Sequence, residues 1–521
     1  MKHDLIKRTI IQASAVVLLV AASGLSQAVT ISPNTTISSI DPKDGLCSLR
    51  ECFIVTNNNA RWGFVPGECP AGSATEPDTI LIPAGLYLIG SRNPITGDLN
   101  VIGASRGETI IDVKHRDEIF QISNRQSQQP FDVLIQSMTL RNGGFEGTIS
   151  IGTANVLLLD LEIYGAKGFT SGGILSGSSV PVTTIIKDCW LHDNEGLYGA
   201  AVFGGGNTHL IIDSTTISNN YSPAAPAGIG YFARGNSPGL VLVNSTLSNN
   251  KSVNDGTAIL TDAPNPSMIL SSTIVGNVSD ASTGGIRNYT APLNLRNSIL
   301  AGNSGRNGPS DCASPDEVIS DGYNILALDS DCLNVQPTDV LVASWNNGAG
   351  VLAAMDANGG PTPTHALLPG SIALDAGEPS GCIGATPEVL TTDQRGSERT
   401  VDGNHDGQPR CDIGAYEFVP PDPLVELAAL ADDVASLKNL RGIVSSLSGK
   451  LNAAINAIDD ANPHNDAVAL GAMQAFINAI EAQRGKKLTD EEADLMVSDA
   501  LAIIDLLSTQ LNIRRGPHRT Q

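Results

Sequence analysis

Charge and aromatic rings are both scarce in this chain of 521 residues: 16% of the residues are charged and 4% aromatic. An ordinary soluble domain carries about 25% charged residues. A globule with a bulky aromatic core and a Lys- and Glu-rich surface is therefore a poor match. The charge that is present runs one way, to a net of −23. Phosphate backbones would be repelled by such a surface, which excludes nucleic acid as a partner, and an anionic membrane surface is disfavoured for the same reason. After the N-terminal stretch, no segment approaches the ~20 apolar residues that a membrane span needs. No CxxC pair and no close pair of histidines is present, so zinc is not suggested.

What is present is repetition. From Val133 to Asn303 one short pattern recurs, as VLIQSMTLRN, VLLLDLEIYG, TIIKDCWLHDN, LIIDSTTISNN, LVLVNSTLSNN, SMILSSTIVGN and LNLRNSILAGN. One apolar landmark from each gives Leu140, Ile163, Leu191, Ile217, Leu247, Ile274 and Leu300, spaced 23 to 30 residues apart. Such a period signals a solenoid. Five residues before each landmark stands a second apolar column: Ile135, Leu158, Ile186, Ile212, Leu242, Ile269 and Leu295. Side chains alternate along a strand, so two apolar columns an odd number apart cannot share one face of a straight strand. The chain must bend between them. Three before the landmark are Ser137, Asp160, Asp188, Ser214, Asn244, Ser271 and Asn297, residues that favour turns. Three after it, Asn194, Asn220, Asn250, Asn277 and Asn303 mark a second corner, where Asn tolerates the left-handed conformation and its amides can ladder from coil to coil. Gly-rich apolar pieces such as GGIL and AGIGYF supply a third strand. The expectation is a parallel β-helix whose coils bury one continuous core.

Residues 1–28 read as a secretory leader: Lys2, Lys7 and Arg8, an apolar stretch from Thr9 to Ala22, and Ser26-Gln27-Ala28 as the cleavage site. Export to an extracellular or cell-surface location changes how the eight cysteines are read. Cys47 and Cys69, Cys312 and Cys332, and Cys382 and Cys411 each bracket a local loop and form the expected disulfides. Cys189 falls in an inward column and reads as a buried thiol; a Cys52–Cys189 bridge is the alternative.

The columns also locate chemistry. Outward positions flank the landmark, and in the first coils they hold Arg141, Glu162, Tyr164, Trp190 and His192. Rungs about 4.8 Å apart bring these onto one face, where aromatic rings beside an Arg, a carboxylate and an imidazole suit a sugar. The corner carboxylates Asp160 and Asp188 fall on adjacent rungs, and a carboxylate pair about 5 Å apart can act on glycosides. Asp160, Asp188, Glu162 and Arg141 are thus the catalytic candidates. Against catalysis, the NTD, GHG and RIK sets of polygalacturonases are missing, as is any lyase-type arginine cluster. Exposed strand faces also mix such residues for no reason beyond β-propensity.

The run Asp44-Gly45-Leu46-Cys47-Ser48-Leu49-Arg50-Glu51, followed by Asn58 or Asn59 and then DTILIPAG, resembles the opening of bacterial CSLREA-domain proteins. The family usually has Ala where this chain has Cys52, so nothing about that cysteine is inherited. LLPGSIALDAG (367–377), TDQRG (392–396), Arg399 and CDIGAYEF (411–418) resemble the choice-of-anchor Q region of the same secreted proteins. The resemblance covers roughly residues 40–418. It implies a right-handed, single-stranded parallel β-helix outside a bacterium and no catalytic residues, with Asp393, Arg395, Arg399, Asp412 and Glu417 as a polar network closing the last coils. Within that end, Asp402, Asn404 and Asp406 have the D-x-N-x-D-G spacing of a calcium loop. The closing Glu is absent, with Asp412 as a substitute ligand; an acidic Gly-rich turn is the other reading. No cofactor is required, and calcium is the one suggested.

After Phe418 the periodicity becomes helical. Leu424, Leu427, Leu430 and Val434 form one stripe and Leu447, Leu451, Ile455 and Ile458 another; Thr489 to Glu492 is a capping box. The run FINAIEAQRGKKLTDEEADLM (476–496) resembles a helical module at the C-termini of secreted multidomain bacterial proteins and suggests a protein partner. The chain thus divides into a leader (1–28), an N-terminal cap with first coils (29–130), the β-helix core (131–305), C-terminal coils and cap (306–418), a linker (419–423) and a helical bundle (424–510). Two functions are expected from it. One is a secreted β-helix protein that binds extracellular polysaccharide or a cell-surface ligand without catalysis; the other is a polysaccharide lyase or glycoside hydrolase.

Overall fold

The computed structural model describes residues 28–515, apart from short segments at 64, 125, 225, 255, 314–317, 328–332, 346–347, 349, 385–387, 405, 438–440 and 460–465. The leader, all but its last residue, lies outside the described residues.

The chain winds as a parallel β-helix. Every landmark pairs with the landmark of the next coil: Leu140 with Ile163, Ile163 with Leu191, Leu191 with Ile217, and so on to Leu300. The second apolar column pairs in the same register, from Ile135 through Leu158, Ile186 and Ile212 to Leu295. A third strand adds Ile149, Ile174, Val202, Ile229, Ile259 and Ile286. All three columns are fully buried and belong to one continuous core.

The bend between the first two columns is a single residue. Ser137, Asp160, Asp188, Ser214, Asn244, Ser271 and Asn297 all have φ between 47° and 58°. A non-Gly residue in that region costs about 1–2 kcal/mol, least for Asn and Asp, which explains the composition of the column. The second corner differs from expectation. The left-handed residue is two after the landmark, not three: Asn142, Asp193, Asn219 and Asn249, with Gly165, Gly276 and Gly302 in the same place. The Asn three after the landmark turns inward and is fully buried. There its amide bonds along the solenoid axis. Asn194 Nδ2 donates to Asn220 Oδ1 (3.1 Å), Asn220 to Asn250 (2.9 Å), Asn250 to Asn277 (2.8 Å) and Asn277 to Asn303 (2.8 Å). Each Oδ1 also accepts the backbone N–H of the preceding Asn, and each Nδ2 reaches a landmark carbonyl of the coil before. The corner's interior polar groups are thereby satisfied, as buried ones must be.

The N-terminal end is covered by α1 (Leu49–Asn58). Its capping box is formed by Ser48 and Glu51: Ser48 Oγ accepts from Glu51 N, and Ser48 N donates to Glu51 Oε2. Helix begins at Leu49, because Ser48 holds an extended cap conformation. Phe53 drives into the core against Phe120. Cys47–Cys69 and Cys382–Cys411 are disulfides. Cys312 is also bridged, while its expected partner Cys332 lies outside the described residues. Cys52 and Cys189 are free and buried, so the alternative Cys52–Cys189 bridge is not formed. Cys52 instead sits 3.5 Å from the Cys47 sulfur.

Beyond Val340–Val342, which still pairs as a rung, the chain stops coiling. Residues 351–418 turn back and lie along the outside of the solenoid, so the polar network expected to close the last coils clamps a lobe to their flank. Arg399 is fully buried; it pairs with Glu417 at 3.4 Å and donates to the corner Asn244 Oδ1 at 2.7 Å. Gln394 bridges two rungs, accepting from Thr246 Oγ1 and donating to Thr216 Oγ1. Asp393 holds Arg395 at 2.8 Å, and burial with Glu417 alongside pushes the Asp412 carboxyl up to about 8. Gly414 has φ 107° and lies where a Cβ would be 3.0 Å from Ile299, so this close approach needs glycine.

The C-terminal helices are α2 (Pro423–Ser436), α3 (Arg441–Asp459), α4 (Asp466–Glu481) and α5 (Asp490–Arg515), packed around Leu427, Leu430, Leu447, Leu451, Met473 and Phe476. Among the described residues, no helix is long and apolar enough to cross a membrane.

Asn250→Ala removes one step of the amide ladder and leaves donors and acceptors of two neighbouring coils unpaired. It is expected to cost about 3 kcal/mol, read as a lower urea midpoint. Arg399→Met leaves Glu417 as an uncompensated buried charge, at about 3–5 kcal/mol. Hydrogen exchange should show residues 351–418 losing protection while the ladder asparagines keep theirs.

Candidate functional site

The lobe decides which part of the solenoid's outer surface is available. The outward columns flanking the landmark run Thr139, Glu162, Trp190, Thr216, Thr246, Thr273 on one side and Asp112, Arg141, Tyr164, His192, Ser218, Ser248 on the other. From Thr216 onward they are occupied: Thr216 donates to Pro363 O, Ser248 bonds His365, and Thr273 accepts from Ala415 N. The stretch from Thr139 to His192 has no such contact among the described residues. The lobe leaves it uncovered, and only its Thr139 edge is buried under a loop, that of Arg106, where Gly107 N donates to Thr139 Oγ1 at 3.0 Å.

On this face the structure brings Arg141, Glu162, Tyr164, Trp190 and His192 together on adjacent rungs. They are half-buried rather than splayed, because the rings lie on one another. The centroids of Trp190 and His192 are 3.8 Å apart and those of Tyr164 and His192 5.0 Å, both stacked. His192 is thereby reduced to 9% exposure. The indole N–H of Trp190 donates to Ser218 Oγ at 3.1 Å, fixing the ring. Glu162 Oε1 lies 3.3 Å from His192 Nε2, and Oε2 accepts from Thr139. The hydrogen bond to His192 holds the Glu162 carboxyl below its ordinary range. Asp193 faces the other ring nitrogen at 2.7 Å.

Arg141 is bound on both sides, with Nε on Asp112 at 2.9 Å and Nη1 on the Tyr164 hydroxyl at 3.2 Å. Asp112 and Arg106 escaped the sequence reading. Both lie before the first aligned repeat, yet TIID (109–112) carries the same register, with Ile111 pairing with Leu140, so extending the columns by one coil would have found Asp112. Arg106 sits on a loop and has no periodic signal.

The two corner carboxyls, on adjacent rungs, stand in different environments. Asp160 is ion-paired with Arg106 at 2.7 Å and accepts from Ser137 Oγ. Asp188 makes no side-chain hydrogen bond or ion pair among the described residues. Burial, aided by Asp213 and Asp160 against Lys187, pushes its carboxyl up to about 6.

The loop of Asp402, Asn404 and Asp406 is folded on its own backbone: Asp402 accepts from Asp406 N and Gly407 N, and Asn404 Oδ1 from Asp406 N. Asp412 does not complete it. Its oxygens accept from Asp375 N and Phe418 N, and Asp375 is the carboxylate beside the loop, accepting from Asn404 N. Among the described residues, the one cluster with metal-ligand spacing is Cys47, Cys52 and Cys69, two of which form a disulfide.

No family model and no curated protein matches this chain. Among solved structures it is similar to a pectin methylesterase mutant in complex with a hexasaccharide. The identity is 13%, covering 60% of this chain and 81% of that one, with a TM-score of 0.25. A likeness at that level carries no argument about the site, and the fold assignment stands on the strand pairing above.

Because the Asp188 carboxyl is held above its ordinary 3.8, ionising it destabilises the folded state. The melting temperature of the native chain should therefore fall relative to that of Asp188→Asn as the pH rises from about 4 to about 6. The difference should level off above that window.

Proposed function

We propose that this chain is an exported protein that holds an extracellular polysaccharide on its open face without turning it over. One observation carries the reading: the stacked Trp190, His192 and Tyr164 rings occupy the stretch of the outer face that the lobe leaves uncovered, beside Arg141 and Glu162. Rings stacked on one another turn their apolar edges outward beside the polar groups of Arg141 and Glu162, and together these meet a sugar's two kinds of surface. Binding across a rigid sheet needs little reorganisation of the protein. The disulfides support an oxidising, extracellular location. The helices after Phe418 would dock the molecule to a protein partner, and the reading invokes no cofactor. The motifs at 44–51 and 411–418 would place it with the secreted bacterial β-helix proteins that they resemble.

A second reading, hydrolysis or elimination on the same face, draws on Asp188 and Asp160, whose corners are on rungs about 4.8 Å apart and of which Asp160 is ion-paired with Arg106 while burial raises the Asp188 carboxyl. One experiment separates the two. The mature protein is passed over a panel of immobilised polysaccharides, and the same polysaccharides are assayed for new reducing ends and for unsaturated products. Retention that Trp190→Ala weakens by about tenfold, with no products, supports binding. Products that disappear in Asp188→Asn would replace it with catalysis.

A further inference from the structure

We infer that the polysaccharide on the open face extends past the second corner onto a crest of aromatic rings, Phe145, Phe169 and Tyr198, and that the crest selects sugars whose ring substituents are all equatorial. This rests on the binding reading and adds to it a second line of contact and a sugar class.

Five aromatic side chains are exposed among the described residues: Phe145, Phe169, Tyr198, Tyr221 and Tyr289. Tyr289 lies under the Arg287 guanidinium. The first three stand on consecutive coils, the same three whose outer face the lobe leaves uncovered. Phe145 follows Arg141 by four residues, Phe169 follows Tyr164 by five and Tyr198 follows His192 by six. At no more than ~3.6 Å per residue, each ring's backbone is within about 22 Å of the face residue of its own coil. An oligosaccharide bridges that span and a single sugar does not. Beyond Tyr221, on the first covered coil, the corresponding turns carry Lys251 and Val278, so the rings give out where the cover begins.

Folding gives no reason for these rings. Phe145 is 63% exposed and Phe169 69%, so little of the stabilisation that burying a ring supplies is gained. Phe145 also has φ 56°, a left-handed conformation that a bulky side chain resists and Asn adopts more readily. Its backbone partner on the next coil is Gly168, where a Cβ would fall 1.7 Å from Ser171 O. The turns are therefore tight, and hydrogen bonds tie them together. Phe169 N donates to Phe145 O, Tyr198 N to Thr170 O, and Thr170 Oγ1 to Glu146 Oε2 at 3.0 Å. A ring held outward on a rigid and strained turn is placed for something outside the protein.

The side chains of the crest narrow what that is. Phe has no polar atom, so it meets C–H groups. A pyranose with every substituent equatorial gathers its axial C–H groups on two flat faces, and an axial oxygen interrupts one of them. The net charge of −23 turns an anionic membrane away. Continuity with the open face on the same three coils assigns the crest to the same polysaccharide.

The test titrates the mature full-length protein by calorimetry with cellohexaose, cellobiose and β-1,4-linked galactohexaose, which carries its C4 oxygen axial. Cellohexaose is expected to bind about tenfold more tightly than galactohexaose. Phe145→Asn combined with Phe169→Ala should weaken cellohexaose by about tenfold and leave cellobiose, which the face holds alone, unchanged. Asn suits the left-handed position, so the melting temperature of Phe145→Asn should not fall. A fall would make Phe145 a structural residue and overturn the inference. Equal affinity for the two hexamers, or full affinity in the double variant, would do the same. So would a dimer in sedimentation that the double variant dissolves, which would give the crest to a second copy of this chain. If no probe binds while the immobilised polysaccharides still retain the protein, the inference falls and the binding reading stands. Loss of that retention as well overturns both.

Discussion

Everything in the solenoid depends on one left-handed residue per coil being tolerated between two inward-facing strands. That residue lets apolar side chains an odd number apart enter the same core, and it recurs with φ near 50° on every coil from Ser137 to Asn297. Each instance is unfavourable alone. The cost is offset by the burial of two apolar columns and by the amide ladder at the opposite corner, which replaces water for every polar group it encloses. Register follows from the same constraint. A slip of one residue would turn the landmark Leu247 to the outward face and put Asn249 or Lys251 in the ladder place of Asn250, so pairing is fixed coil by coil.

Because register is strict, the outer surface is a set of columns too, and chemistry appears where a column changes composition. Threonine and serine dominate the later coils, and there the lobe lies down, using short hydroxyls as partners for Gln394, His365 and the backbone. On the earlier coils the same positions hold Glu162, Trp190, Tyr164 and His192. A flat lobe cannot seat on such residues, and the face stays open. The boundary between covered and open surface is therefore set by side-chain size as much as by the length of the lobe.

The sequence made the core legible and the corners partly so. Seven aligned repeats were enough to place Ile135 and Leu140 inward, because a parallel solenoid repeats its environment along each column. The second corner was misread by one position. Asn serves equally as a left-handed residue and as a ladder amide, and only Gly165, Gly276 and Gly302 in the neighbouring column showed which role lay where. The five face residues were legible because they obey the same columns. Asp112 lay one coil outside the alignment, and Arg106 reaches Asp160 from a loop. The lobe's position was illegible for a different reason: its contacts with Asn244 and Thr246 join residues about 150 apart in sequence, and no period links them.

That separation also orders events in time. The solenoid grows by contacts between neighbouring coils, each closing a loop of about 30 residues, so it can propagate from any nucleus. The lobe closes loops five times longer, which costs more chain entropy and waits for residue 418 to be synthesised. A newly made molecule therefore passes through a stage in which the whole outer face, from Thr139 past Thr273, is uncovered, and the mature boundary at Thr216 is the last feature of the surface to be drawn.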